Sequence, residues 1–98
     1  MAIVFKNKKV KETLEERIKR LRSNMLVHSY LYYQLNTQVI DDDRWQSMAN
    51  RLATLQDKNG HKFEFYDDVF KDWTGDTGMH LPVDDWVKSK ADQLVKGL

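Results

Sequence analysis

Apolar and half-apolar residues recur at Leu14, Ile18, Leu21, Met25, His28, Tyr32 and Leu35, in alternating steps of four and three. Only an α-helix brings residues at that spacing onto one face. The opposite face carries Glu16, Lys19, Arg20 and Ser23. Thr13-Leu14-Glu15-Glu16 at the head of the run has the form of a capping box, in which Thr and Glu each satisfy the other's free backbone N–H. A helix over about 12–35 is therefore the element around which the rest must be arranged. Asn36-Thr37-Gln38 breaks the pattern, and Val39-Ile40 is a short apolar link.

Asp41-Asp42-Asp43 then offers carboxylates for a helix N-terminus, where they cap free N–H groups and oppose the helix dipole. Trp45, Met48, Leu52 and Leu55, thickened by Ala49 and Ala53, form the stripe of a second helix over about 42–57, and Asn59-Gly60 closes it. So short a link predicts an antiparallel hairpin. Beyond it, Tyr66, Val69, Phe70 and Trp73 suggest a short helix near 66–72, although Phe63 and Phe65 alternate weakly in a strand-like way. Thr74-Gly75-Asp76-Thr77-Gly78 reads as a surface loop. Val83, Trp86, Val87, Ala91, Leu94 and Val95 mark a C-terminal helix over about 83–96, starting near Pro82. The expected fold is all-α, one domain of 98 residues: a basic arm over 1–10, a hairpin over 12–57 and an extension over 58–98.

Composition removes several kinds of function. There is no cysteine, which excludes disulfides, a thiolate zinc site and a thiol nucleophile. No run approaches the ~18 apolar residues of a membrane span, and Met1 to Val4 is too short for a signal peptide. A cytoplasmic location without membrane contact is expected. The net charge of +1 conceals an asymmetry. Residues 1–22 hold eight basic side chains, among them Lys6, Lys8, Lys9, Lys11, Arg20 and Arg22, against three acids. Residues 64–85 hold Glu64, Asp67, Asp68, Asp72, Asp76, Asp84 and Asp85 against Lys71 alone. The basic end can meet phosphate and the acidic strip can mimic or repel it, although solvated faces account for both.

Neither a phosphate-binding glycine loop nor a His-Glu-x-x-His motif occurs. His28, His61 and His80 are far apart, and helix capping explains the Asp41–Asp43 run without a cation. No metal site and no catalytic residue is expected. The aromatic residues are more informative. His28, Tyr30, Tyr32 and Tyr33 crowd the end of the first helix, and Asp42 and Trp45 open the second. The hairpin brings these groups to its elbow. Flat ring faces beside a carboxylate and helix N–H groups suit a planar ligand with hydroxyl and phosphate groups; an aromatic core closing the hairpin is the alternative.

The run Leu21-Arg22, His28-x-Tyr30-x-Tyr32-Tyr33, Ile40-x-Asp42-x-x-Trp45 and Leu52-x-x-Leu55 resembles the N-terminal helical domain, domain Ia, of bacterial NAD-dependent DNA ligases. There the first helix ends in Tyr-Tyr or Tyr-His, an Asp-x-Pro turn follows, and Ile-Ser-Asp-x-x-Tyr-Asp-x-Leu opens the second. The resemblance covers about residues 12–57. It implies a module that holds the nicotinamide mononucleotide half of NAD, with Tyr32, Tyr33, Asp42, Trp45 and Gln46 as the binding residues. Trp45 keeps a stacking face without the phenol, and Gln46 stands where a second carboxylate is usual. Asn36 and Gln38 replace the Asp and Pro of the turn. The ligase nucleophile motif Lys-x-Asp-Gly is not among the 98 residues, so the resemblance implies no ligation by this segment alone.

Two partner readings accompany it. One is a ligase adenylation domain or another replication or repair protein. It extends to a phage-type interaction module that kept the hairpin and lost the nucleotide. The other is nucleic acid at the basic arm.

Overall fold

A computed structural model describes residues 12–98. The expectations for the arm over 1–10, including its contact with nucleic acid, lie outside the described residues. These contain four helices and no strand: α1 (Leu14–Tyr33), α2 (Asp42–Asn59), α3 (Asp67–Phe70) and α4 (Asp85–Lys96). The all-α expectation therefore holds, and no helix among them is long and apolar enough to cross a membrane.

Local chemistry sets most of the helix ends. The Thr13 hydroxyl accepts from the Glu16 N–H at 3.1 Å, and the Glu16 carboxylate accepts from the Thr13 N–H at 2.8 Å, completing the capping box. Asp41 caps α2, its carboxylate accepting from the Arg44 N–H at 2.7 Å, and Gly60 (φ 82°) closes that helix. α1 stops at Tyr33, two residues short of expectation. Asn36 turns left-handed (φ 51°), the Thr37 N–H returns to the Leu31 carbonyl, and Leu35 is left exposed. α3 is a single turn. α4 begins at Asp85 rather than near Pro82, because the Asp84 carboxylate caps it through the Val87 N–H at 2.9 Å.

α1 is central. α2 and α4 both pack against it, so its burial exceeds the single stripe seen in the sequence: Leu26, Val27, Ser29 and Leu31 are buried beside Ile18, Leu21 and Met25. The ends of the stripe, Leu14 and Tyr32, are exposed. Contacts pair Arg22 with Gln56 and Asn24 with Met48, while His28 lines a cavity with Trp45. Rising numbers on α1 meet falling numbers on α2, so the hairpin is antiparallel. Its core continues through Ala49, Leu52, Phe70, Trp73 and Val87.

A charge lies inside this core. Arg22 is completely buried. Its guanidinium donates to Gln56 Oε1 (3.0 Å), the carbonyls of Phe65 (2.6 Å) and His61 (2.8 Å), and Asp67 Oδ1 (2.7 Å), and it lies near the rings of Phe63 and Phe70. Gln56 passes the connection on by donating to the Phe70 carbonyl. Asp67 also accepts from the N–H groups of Phe63, Glu64 and Phe65, which holds the left-handed residues Glu64 and Tyr66 in place. The expected charge blocks are therefore partly internal. Arg17 and Arg20 pair with Glu12 and Lys19 with Glu15, while three of the seven acids of the strip, Asp67, Asp76 and Asp84, accept hydrogen bonds within the fold.

Desolvation opposes charge on Asp67, but the Phe63 N–H, the Arg22 guanidinium and the Glu64 and Phe65 N–H groups outweigh it. They hold its pKa well below the ordinary 3.8. A carboxyl depressed in the folded state contributes stability that is complete above its unfolded value and is lost as pH falls through the folded one. Urea midpoints should therefore drop below about pH 4, and Asp67→Asn, less stable at neutral pH, should show a shallower acid decline. An unchanged acid slope in that variant would remove Asp67 from the account.

Candidate functional site

The end of α1, the link and the first turns of α2 enclose a cavity of about 230 Å³. All five residues singled out in the sequence, Tyr32, Tyr33, Asp42, Trp45 and Gln46, line it. Tyr32 and Tyr33 stand edge to face, ring centres 5.0 Å apart, both substantially exposed at the rim. Trp45 is half-buried and set edge-on to Trp73. The Trp73 indole in turn donates to the Ala49 carbonyl at 3.0 Å, fixing that wall to α2. Asp42 occupies the first turn of α2 and accepts from the Gln38 amide at 3.0 Å. Because Asp41 provides the cap, the Asp42 carboxylate is not needed to accept from the free N–H groups of the helix end.

Gln46 has a structural role that its position in the sequence did not reveal. Its amide nitrogen donates to Asn50 Oδ1 (2.9 Å) and to the Gly75 carbonyl (2.8 Å). It thereby fastens the 74–78 loop against α2. That loop lies at the surface as expected, with Thr74, Asp76 and Thr77 exposed, but its Gly75 and Gly78 are buried. Gly75 has φ 87° and sits on the Ala49 carbonyl, where its missing Cβ would lie 3.2 Å from the oxygen. Gly78 lies over Ser29 and Trp45. Tyr33 and Thr77 hydroxyls are 3.3 Å apart, and Thr77 also accepts from the Met79 N–H. The loop is a wall of the cavity and brings Asp76 into its lining.

His28 forms part of the same wall. Burial, and secondarily the nearby Arg44 charge, push its pKa below the ordinary 6.5, and its Nδ1 is buried without a hydrogen-bond partner. Asp76 and the loop were beyond sequence reasoning, because about thirty residues separate them from Gln46 and no periodic pattern marks them. His28 was visible as part of the aromatic cluster. His61 and His80 do not line the cavity; His61 supplies its carbonyl to Arg22, and His80 lies beside Trp73. Among the described residues no three His, Cys, Asp or Glu side chains come together to hold a metal.

Comparison with known proteins points to one enzyme class. The chain is 33% identical over 54 residues to a DNA ligase of Thermodesulfovibrio yellowstonii, which covers 55% of this chain and 8% of the ligase. It is 41% identical over 46 residues to the DNA ligases of Thermotoga petrophila and Thermotoga sp. strain RQ2, covering 47% of the chain and 6% of each ligase. The chain thus spans less than a tenth of the length of the curated relatives it matches. No family model matches it, and no solved structure does.

Gly78→Ala tests the seating of the loop. The added methyl would overlap Ser29 Oγ and lie 2.9 Å from Ser29 Cβ and 3.2 Å from the Trp45 ring. Overpacking of this kind costs about 1–3 kcal/mol. At Gly97 the nearest atoms would be 3.4 Å away, so Gly97→Ala should be close to neutral. Equal denaturation midpoints for the two variants would show that the loop does not rest where described.

Proposed function

We propose that this chain is a ligase-related module without catalytic activity of its own, and that its elbow cavity holds the nicotinamide mononucleotide half of NAD. One observation carries the reading: five residues chosen from the sequence alone, on two helices and separated by up to fourteen positions, line one cavity. Partial identity to three DNA ligases supports the ligase relationship. The cavity is smaller than the ~300–1,000 Å³ of pockets for drug-sized ligands, a size that suits a mononucleotide with its phosphate at the mouth better than a whole dinucleotide.

The chemistry assigned to the site is binding and orientation. Tyr32, Tyr33 and Trp45 offer ring faces to the nicotinamide, and Asp42 accepts from ribose hydroxyls or faces the cationic ring. The Lys-x-Asp-Gly nucleophile is not among these residues. Attack on the pyrophosphate therefore requires an adenylation domain outside this segment, which is the partner proposed here. Leu35 and Met79, both strongly exposed, favour a second reading as a protein-interaction surface. The two readings are compatible if that domain covers the mouth.

A proton–nitrogen NMR titration with nicotinamide mononucleotide and then NAD tests the site. Saturable shifts are expected at Tyr32, Tyr33, Asp42, Trp45 and the Trp45 indole. Tyr32→Ala and Asp42→Ala should each weaken binding at least about tenfold, or ~1.4 kcal/mol. Asp42→Ala should leave the melting temperature nearly unchanged, because the cap belongs to Asp41. No shift at millimolar ligand would leave the hairpin without its nucleotide role.

A further inference from the structure

Two carboxylates line the cavity. Asp42 comes from the start of α2 and Asp76 from the 74–78 loop, and no Lys or Arg lines the space between them. The remaining group able to carry positive charge there, His28, is held neutral at pH 7 by burial and by Arg44. Aromatic faces and two carboxylates, with no cation in the lining itself and Arg44 acting on His28 from outside it, favour a planar cation over an anion or a neutral ring of the same shape.

We propose that Asp76 is a specificity-determining residue of this cavity, and that its charge selects the cationic, oxidised nicotinamide ring over the neutral dihydronicotinamide ring. This rests on the reading that the cavity holds nicotinamide mononucleotide. Three contacts keep Asp76 in the lining. The Gln46 amide fastens the Gly75 carbonyl on one side, the Tyr33 and Thr77 hydroxyls meet on the other, and the Thr74 hydroxyl donates to Asp76 Oδ2 at 3.0 Å.

The same contacts explain Gln46. A carboxylate at position 46 would face the Gly75 carbonyl oxygen and repel it, because both are acceptors. An amide attracts it. Gln46 thus gives up a negative charge of its own, and the loop it secures delivers another at Asp76. The cavity keeps two carboxylates although position 46 contributes none.

Oxidised and reduced nicotinamide mononucleotide, titrated separately against the full chain at low and high salt, test the assignment. The parent protein should bind the oxidised form more tightly, with a preference that shrinks as salt screens the partly exposed carboxylates. Asp76→Asn keeps an acceptor for Thr74. It should weaken the oxidised form about fivefold and leave the reduced form within about twofold. Asp76→Glu, which restores the charge, should retain the preference. An undiminished preference in Asp76→Asn, with binding intact, would overturn this role and spare the proposed function. Failure of the parent protein to bind either form would overturn both. Were Asp76→Asn to lose its NMR dispersion, the salt series and Asp76→Glu would still decide: a salt-insensitive preference would refute the role of charge.

Discussion

The guanidinium of Arg22 is the interaction on which the arrangement of this chain depends. It sits on the central helix, wholly removed from water, and is satisfied by groups from three other segments: Gln56 on α2, the carbonyls of His61 and Phe65, and Asp67 at the start of α3. A buried charge is tolerable only when paired and hydrogen-bonded, and removing one partner of such a pair typically costs about 3–5 kcal/mol. The 61–66 segment, which has two left-handed residues and no regular structure to hold it, is folded around this charge. Its position sets Phe70 and Trp73 beneath α2 and leads the chain back along α2 as the 74–78 loop. The wall of the cavity is thus linked to a core arginine through the intervening backbone.

The extension has a second anchor at its far end. The Tyr66 hydroxyl donates to Asp84 at 2.6 Å, while Asp84 also caps α4. Burial and this bond push the Tyr66 pKa up to about 12, and the Tyr66 hydroxyl and Val87 N–H hold Asp84 below the ordinary value. Phe65 meets Tyr66 and Trp86 edge to face, Tyr66 and Trp86 are tilted to each other, and this group joins the turn at α3 to α4. α4 in turn covers the second face of α1 through Val27, Leu31 and Ala91. The hairpin therefore has partners on both sides, and its elbow, where the aromatic residues collect, is left accessible.

Local patterns made the hairpin legible. Helical spacing, the Thr13 capping box and the Asp41–Asp43 run are short-range signals, and each corresponds to an observed helix or cap. That the elbow gathers Tyr32, Tyr33, Asp42 and Trp45 was legible too, because a short link forces the end of one helix beside the start of the next; Gln46 entered only through the ligase resemblance. What the sequence concealed was long-range and polar. Arg22 looked like one more cation of the basic block, Gln56 carried no signal, and Gly75 and Gly78 looked like parts of a surface loop. Their roles depend on partners about fourteen to fifty residues away, which no periodicity encodes. The apolar stripe erred at its ends, where Leu14, Tyr32 and Leu35 are exposed, and it left out Leu26, Val27, Ser29 and Leu31, which are buried.

The central claim is that the elbow cavity receives nicotinamide mononucleotide. A crystal structure of the complex tests it most directly. The account predicts the nicotinamide ring against Trp45 and the Tyr32–Tyr33 pair, with Asp42 and Asp76 facing it and the phosphate directed out of the mouth. A ligand bound elsewhere on the surface, or one that enters the cavity phosphate first, would contradict it.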